Sequence, residues 1–221
     1  MNLPLAIGWG LLGLVAGFVL NLVSRWLAGV EEIEHRPSRR EELVAPALAA
    51  ILFAVFAGKL GFQPVLLIDT VYIAILVQVF AFDLKHRLIL DAVMFPSWVI
   101  ALGLAFITPW SQASWPAADW RTALIAGVIA GGIFLVLFVG GTFLLGQEAF
   151  GFGDVKLSVF IGLATGLSNL RMVHALLAGV YIGGAVAVLL LLARRAKLKQ
   201  AVPYAPFLVA GTLLTLLIQQ P

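Results

Sequence analysis

Eleven acidic residues occur in the chain, and four of them, Asp83, Asp91, Glu148 and Asp154, fall at the edges of long apolar runs. A carboxylate beside hydrocarbon is costly to desolvate, so each calls for a reason. Asp83 closes one apolar run in VFAFDLKHRLILD, where Lys85, His86 and Arg87 follow at once. Asp154 opens another in QEAFGFGDVKLSVFIGLATG, directly after Gly151 and Gly153. Two carboxylates at one membrane depth can share a proton, because like charges close together cannot both ionise. The ionised partner takes a proton from water while the protonated one polarises a peptide carbonyl, and that chemistry needs no metal or cofactor. Taken singly, each residue also has a simpler explanation. Asp83 reads as a solvated helix flank, Asp91 as the N-cap of the next helix, and Asp154 as the N-cap after a tight glycine turn.

The neighbouring residues narrow the choice. Gly151 and Gly153 are expected to permit positive φ and the close approach of another backbone or a substrate. Lys156 has three options: pairing with Glu148, pairing with Asp154, or extending to the cytoplasm. Cysteine is absent, which excludes a thiol nucleophile and a disulfide framework. His35, His86 and His174 are too scattered to suggest a metal site. GFGD lacks the Lys-Ser/Thr of a phosphate-binding loop. The remaining acids sit apart: Glu31, Glu32, Glu34, Glu41 and Glu42 in a polar connector, Asp119 in a Trp-rich loop, and Asp69 where it is expected to cap a helix.

The elements that must position these groups are membrane helices. Of 221 residues, 62% are hydrophobic and 11% charged, and the mean hydropathy is +1.07. A soluble domain carries about 25% charged residues, so a soluble enzyme and a disordered chain are both excluded. Eight apolar segments approach the ~20 residues that a bilayer requires: 4–27, 44–62, 64–82, 88–107, 121–145, 154–168, 172–193 and 204–218. The first is expected to be a retained span, with no basic residue before Arg25. The sixth and eighth are short and call for tilt, local thinning or burial. Eleven of the fourteen basic residues collect on one side, including Arg25, Arg39, Arg40, Lys85, Arg87 and Lys156. The positive-inside rule makes that side cytoplasmic and puts both termini outside. The same rule explains the net charge of +3 without a nucleic-acid partner. The polar connector, about residues 28–43, is cytoplasmic, and Trp110, Trp115 and Trp120 form an outer aromatic belt. Residues 1–221 are expected to form a single all-α membrane domain.

These segments resemble a known family. FDLKHRLILD is similar to the first active-site motif of the prepilin peptidases, also called type IV leader peptidases: an Asp with Asp or Asn eight residues later. GFGDVKL, with Glu148 six residues before Asp154, resembles the GxGD motif of these intramembrane aspartic proteases. VPYAPFLVAG resembles their final helix and GLVAGFVLNLVSRWL their first span. The resemblance implies that Asp83 and Asp154 are the catalytic pair, with Glu148, Gly151, Gly153 and Lys156 as supporting residues. It implies a substrate too: precursors of type IV pilins or pseudopilins, whose short basic leader is cut on the cytoplasmic side of the bacterial inner membrane, before an apolar helix. The chain departs from the family at Leu90, usually Pro, and at Ala205, usually Gly. More consequential is the connector, which is short and Cys-free where many relatives carry a larger domain with paired Cys-x-x-Cys motifs, associated with N-methylation of the mature pilin. Methyl transfer is therefore not expected.

Two other readings fit the same residues. One is a non-enzymatic transporter or assembly scaffold, since acids at helix ends also serve proton relays. The other is a GxGD protease with different membrane substrates. A transporter more often has broken helices near the midplane, whereas these acids sit at one edge. The charge asymmetry makes a direct prediction about topology. A reporter fused after Pro221 should behave as extracytoplasmic, and one inserted near Arg39 as cytoplasmic. Both on the same side would overturn the eight-span arrangement.

Overall fold

The structure, a computed structural model, describes residues 2–33, 38–111, 119–145, 151–193 and 204–218. Every element among the described residues is helical. Two compact units form, Met1–Leu88 and Ile89–Pro221.

The first unit holds α1 (Leu3–Val30), α2 (Arg39–Leu60) and α3 (Pro64–His86). Each start is chemically marked. Asn2 caps α1 by accepting from Leu5 N–H. At α2, Ser38 accepts from Glu41 N–H, and the Glu41 carboxylate accepts from Ser38 N–H at 2.6 Å, a reciprocal capping box. Pro64 occupies the first turn of α3, where its missing N–H costs nothing. The connector expected over about 28–43 is thus entered by helix from both sides. Glu41 and Glu42 belong to the first turn of α2, where carboxylates complement the helix dipole. Gly17 lets α1 lie directly on α2, for a Cβ there would strike the Pro46 backbone. Asp69 is no cap. It sits inside α3 and is fully buried, and the N-cap position belongs to Gln63.

The second unit holds α4 (Asp91–Ser111), α5 (Trp120–Leu145), α6 (Phe152–Thr165), a 3-10 turn (Ser168–Leu170), α7 (Arg171–Leu192) and α8 (Ala205–Ile218). Asp119 accepts from Thr122 N–H at 2.8 Å, so it caps α5. That backbone hydrogen bond holds its carboxyl below the usual carboxylate range. Trp120 stacks on Phe106 with centroids 5.2 Å apart. The side chain of Trp110 and all of Trp115, the other belt residues, lie outside the described residues. Helix α6 is the hub: it packs against α4, α5, α7 and α8, and most of its 14 residues are buried. This explains how so short an apolar helix is accommodated, since its surroundings are mainly protein. Gly162 permits the closest of these contacts, facing the Ala126 carbonyl of α5.

Among the described residues, five helices are long and apolar enough to cross a membrane: α1, α2, α3, α5 and the stretch Ser168–Leu190. The apolar parts of α4 and α8 are shorter. All eight apolar segments read from the sequence are helical.

The two motif glycines are not equivalent. Gly151 is the N-cap of α6 with φ −75° and ψ 148°, a conformation open to any residue, and a Cβ there meets only ordinary contacts. Neither glycine has positive φ, contrary to one of the two uses expected of them. What crowds Gly153 is a side chain, neither a backbone nor a substrate: a Cβ at this position would stand 2.8 Å from Ile89 Cβ. Because the branched Ile89 cannot retreat easily, Gly153→Ala should destabilise the chain by about 1–3 kcal/mol through overpacking. Gly151→Ala should cost less than about 1 kcal/mol, a weaker N-cap. Thermal unfolding of both variants in detergent checks the order; equal losses would show that Ile89 does not set the requirement.

Candidate active site

Asp83 lies one turn from the end of α3 and is only 5% exposed. Its carboxylate Oδ2 is buried with no hydrogen-bond partner. The helix stops just beyond it because Arg87 turns left-handed, at φ 54° and ψ 38°, with its N–H returned to the Asp83 carbonyl at 2.7 Å. Lys85, His86 and Arg87 therefore crowd this helix end, and the Phe82 and His86 rings lie 4.5 Å apart.

Alongside runs a set of buried polar groups that the sequence analysis passed over. Lys85 Nζ donates to Asn21 Oδ1 at 3.0 Å, and Asn21 Nδ2 donates to the Glu42 carbonyl. Gln78 Nε2 donates to Ser24 Oγ at 3.0 Å. Arg25 and Glu42 form an ion pair at 2.7 Å. All three helices of the first unit are tied together at this end. The signal was present in the spacing: Asn21 and Ser24 stand three residues apart, and Gln78 and Lys85 seven apart, so each pair shares one helix face.

In the second unit, Asp154 occupies the third position of α6 and is 6% exposed. It is not the N-cap; instead its carboxylate Oδ2 reaches back and accepts from Gly151 N–H at 3.1 Å. The backbone of the GFGD turn thus orients the acid. Lys156 pairs with Asp91, a partner that none of the three expected options included. Asp91 correspondingly stands in the first turn of α4 as an ion-pair partner. The Lys156 ammonium also lies 4.8 Å from the Phe152 ring centre. Trp98 Nε1 donates to the Lys156 carbonyl at 3.0 Å, so α4 is fastened to the first turn of α6 twice. Glu148 lies outside the described residues.

The structure therefore gathers Gly151, Gly153, Asp154 and Lys156 in one turn, while Asp83 belongs to the first unit. Among the described residues, no group of three or more His, Cys, Asp or Glu side chains is arranged to hold a metal ion. Each unit thus holds one buried motif aspartate near a helix end.

Comparison with known proteins identifies the family. Residues 70–191 match the type IV leader peptidase family. The chain is 29% identical, over 173 residues, to the prepilin leader peptidase/N-methyltransferase of Bacillus subtilis (strain 168), covering 78% of this chain and 64% of that protein. It is 35% identical over 143 residues to the leader peptidase HopD of Escherichia coli, covering 63% of this chain and 85% of that protein. No solved structure matches. The matched region contains both aspartate motifs and more than half of the sequence, and the chain belongs to the type IV leader peptidase family.

Proposed function

We propose that this chain is an intramembrane aspartic endopeptidase that removes the basic leader of type IV prepilins or pseudopilins, with Asp83 and Asp154 as its catalytic pair. The observation that carries the reading is the burial of both motif aspartates, at 5% and 6% exposure, at the charged ends of apolar helices in a chain of this family. A buried carboxyl group beside cations is the equipment that peptide hydrolysis by acid–base chemistry requires.

In the proposed mechanism, one carboxylate accepts a proton from water as the oxygen attacks the scissile carbonyl. The other, carrying the shared proton, hydrogen-bonds that carbonyl oxygen. Collapse of the tetrahedral intermediate breaks the C–N bond, and the departing amine takes a proton from the pair. Gly151 N–H restricts the Asp154 carboxylate to one orientation, and Lys156, engaged with Asp91, keeps the first turn of α6 in register with α4. The distribution of basic residues supports an eight-span reading with both termini outside and both motifs toward the cytoplasmic face of the bacterial inner membrane. A leader rich in positive charge is retained on that same side, which supports cleavage there.

Asp83→Asn or Asp154→Asn should lower prepilin cleavage by at least about 10²-fold. The double variant should be little worse than either, because the pair acts as a unit. Asp91→Asn should retain most activity, since it removes only a half-exposed ion pair. Leader removal in liposomes, with thermal unfolding checked for each variant, is the measurement. Substantial cleavage by a stable Asp154→Asn protein, with deamidation excluded, would end the aspartic mechanism.

The short, Cys-free connector supports peptidase without methyl transfer. Purified chain given S-adenosylmethionine and a cleaved pilin should leave the new N-terminus unmethylated. A methylated product by mass spectrometry would refute this.

A further inference from the structure

Lys85 is a buried cation that the chemistry above does not use. A lysine at a membrane edge ordinarily extends its ammonium to water. Lys85, the penultimate residue of α3, is instead only 8% exposed and donates to Asn21 Oδ1 of α1 at 3.0 Å. We propose that Asn21 and Lys85 are positioning residues for Asp83: together they set the rotation of the last turns of α3, and so the direction in which its carboxyl group is presented. The inference rests on the peptidase reading above, in which Asp83 acts on the scissile bond.

Helix geometry supplies the main support. An α-helix turns about 100° per residue, so Gln78 and Lys85, seven residues apart, lie within about 20° of one another around α3. Both are bonded to α1, Lys85 to Asn21 and Gln78 Nε2 to Ser24 Oγ, each at 3.0 Å. Asp83 falls between these two ties along the axis, but about 140–160° round from them. Fastening the Gln78 and Lys85 face to α1 therefore turns Asp83 away from α1. The ties are spaced about 10 Å along the axis, so they hold the tilt as well as the roll of the segment that carries the acid.

The acceptor that Lys85 meets is itself fixed. Glu42 of α2 holds α1 twice, with its carbonyl accepting from Asn21 Nδ2 and its carboxylate paired with Arg25 at 2.7 Å. Such a hold matters because Asp83 lies in the final turn of α3, which stops where Arg87 turns left-handed. Helix ends are where local opening begins. A carboxyl group that must meet one peptide bond tolerates little of it, since a displacement of about 1 Å can cost about 10²-fold in rate.

Replacing both partners by apolar side chains removes the tie without stranding a buried polar group, so the test variant combines Asn21→Leu with Lys85→Met. In liposomes with full-length prepilin, kcat should fall about tenfold or more while KM stays near wild type. A combined variant with wild-type thermal unfolding and wild-type kcat would overturn the proposal. Ser24→Ala with Gln78→Leu, which cuts the other tie, should move kcat in the same direction.

The chain has no cysteine, which allows a second readout that does not require cleavage. Asp83→Cys in the otherwise unchanged chain should react slowly with a water-soluble maleimide, and adding Asn21→Leu with Lys85→Met should raise that rate about tenfold. Leu76→Cys, on the same face two turns earlier and fully buried, should stay slow in both backgrounds. An unchanged rate at Asp83→Cys would overturn the proposal, and so would an equal rise at Leu76→Cys, which marks general loosening. Wild-type protein that leaves prepilin intact would instead defeat the peptidase reading, and the labelling rates would then decide the role of the tie alone.

Discussion

Hydrocarbon offers no hydrogen bonds, so every polar group brought to its edge must be satisfied by the protein itself. Much of this structure follows from that constraint. At the charged end of the first unit, Lys85 is buried on Asn21, which in turn binds the Glu42 carbonyl. In the second, the carboxylate of Asp154 is met by the N–H of Gly151, and Lys156 finds Asp91 across 65 residues of sequence. These bonds do two things at once. They make burial of polar atoms tolerable, and they tie helix ends together where a solvated loop would leave them loose.

Small residues make such bonds reachable. Gly17 brings α1 onto α2 at Pro46, Gly162 brings α6 onto α5, and Gly153 admits Ile89 beside the aspartate. In a lipid environment close backbone approach replaces the hydrophobic drive that joins helices in water. The cost is that these positions tolerate no side chain. The benefit is that α6, only 14 residues long, is surrounded by four other helices, so its polar first turn need not face lipid.

The result is an acid held by a backbone N–H at the head of a largely buried helix. The Oδ2 of Asp83, buried with no hydrogen-bond partner, is the exception. A buried oxygen left without a partner costs stability.

Local chemistry made much of this protein legible in its sequence. The eight apolar runs are all helical, because length and hydropathy alone dictate how a chain satisfies its backbone in lipid. The spacing of DLKHRLILD and GFGDVKL singled out Asp83 and Asp154, since a carboxylate at an apolar edge stands out by residue type. Tertiary packing decided what those rules do not reach. Asp69, placed by position as a cap, is buried inside α3. Of the two motif glycines, only Gly153 meets a neighbour that demands its lack of a side chain. Lys156 passed over the acid two residues before it and paired with Asp91, and Asn21 and Lys85 met across two helices. Each of these outcomes depends on which helix faces lie against each other. That choice is made by the volumes and close approaches of residues far apart in the chain, and short-range spacing carries no record of it.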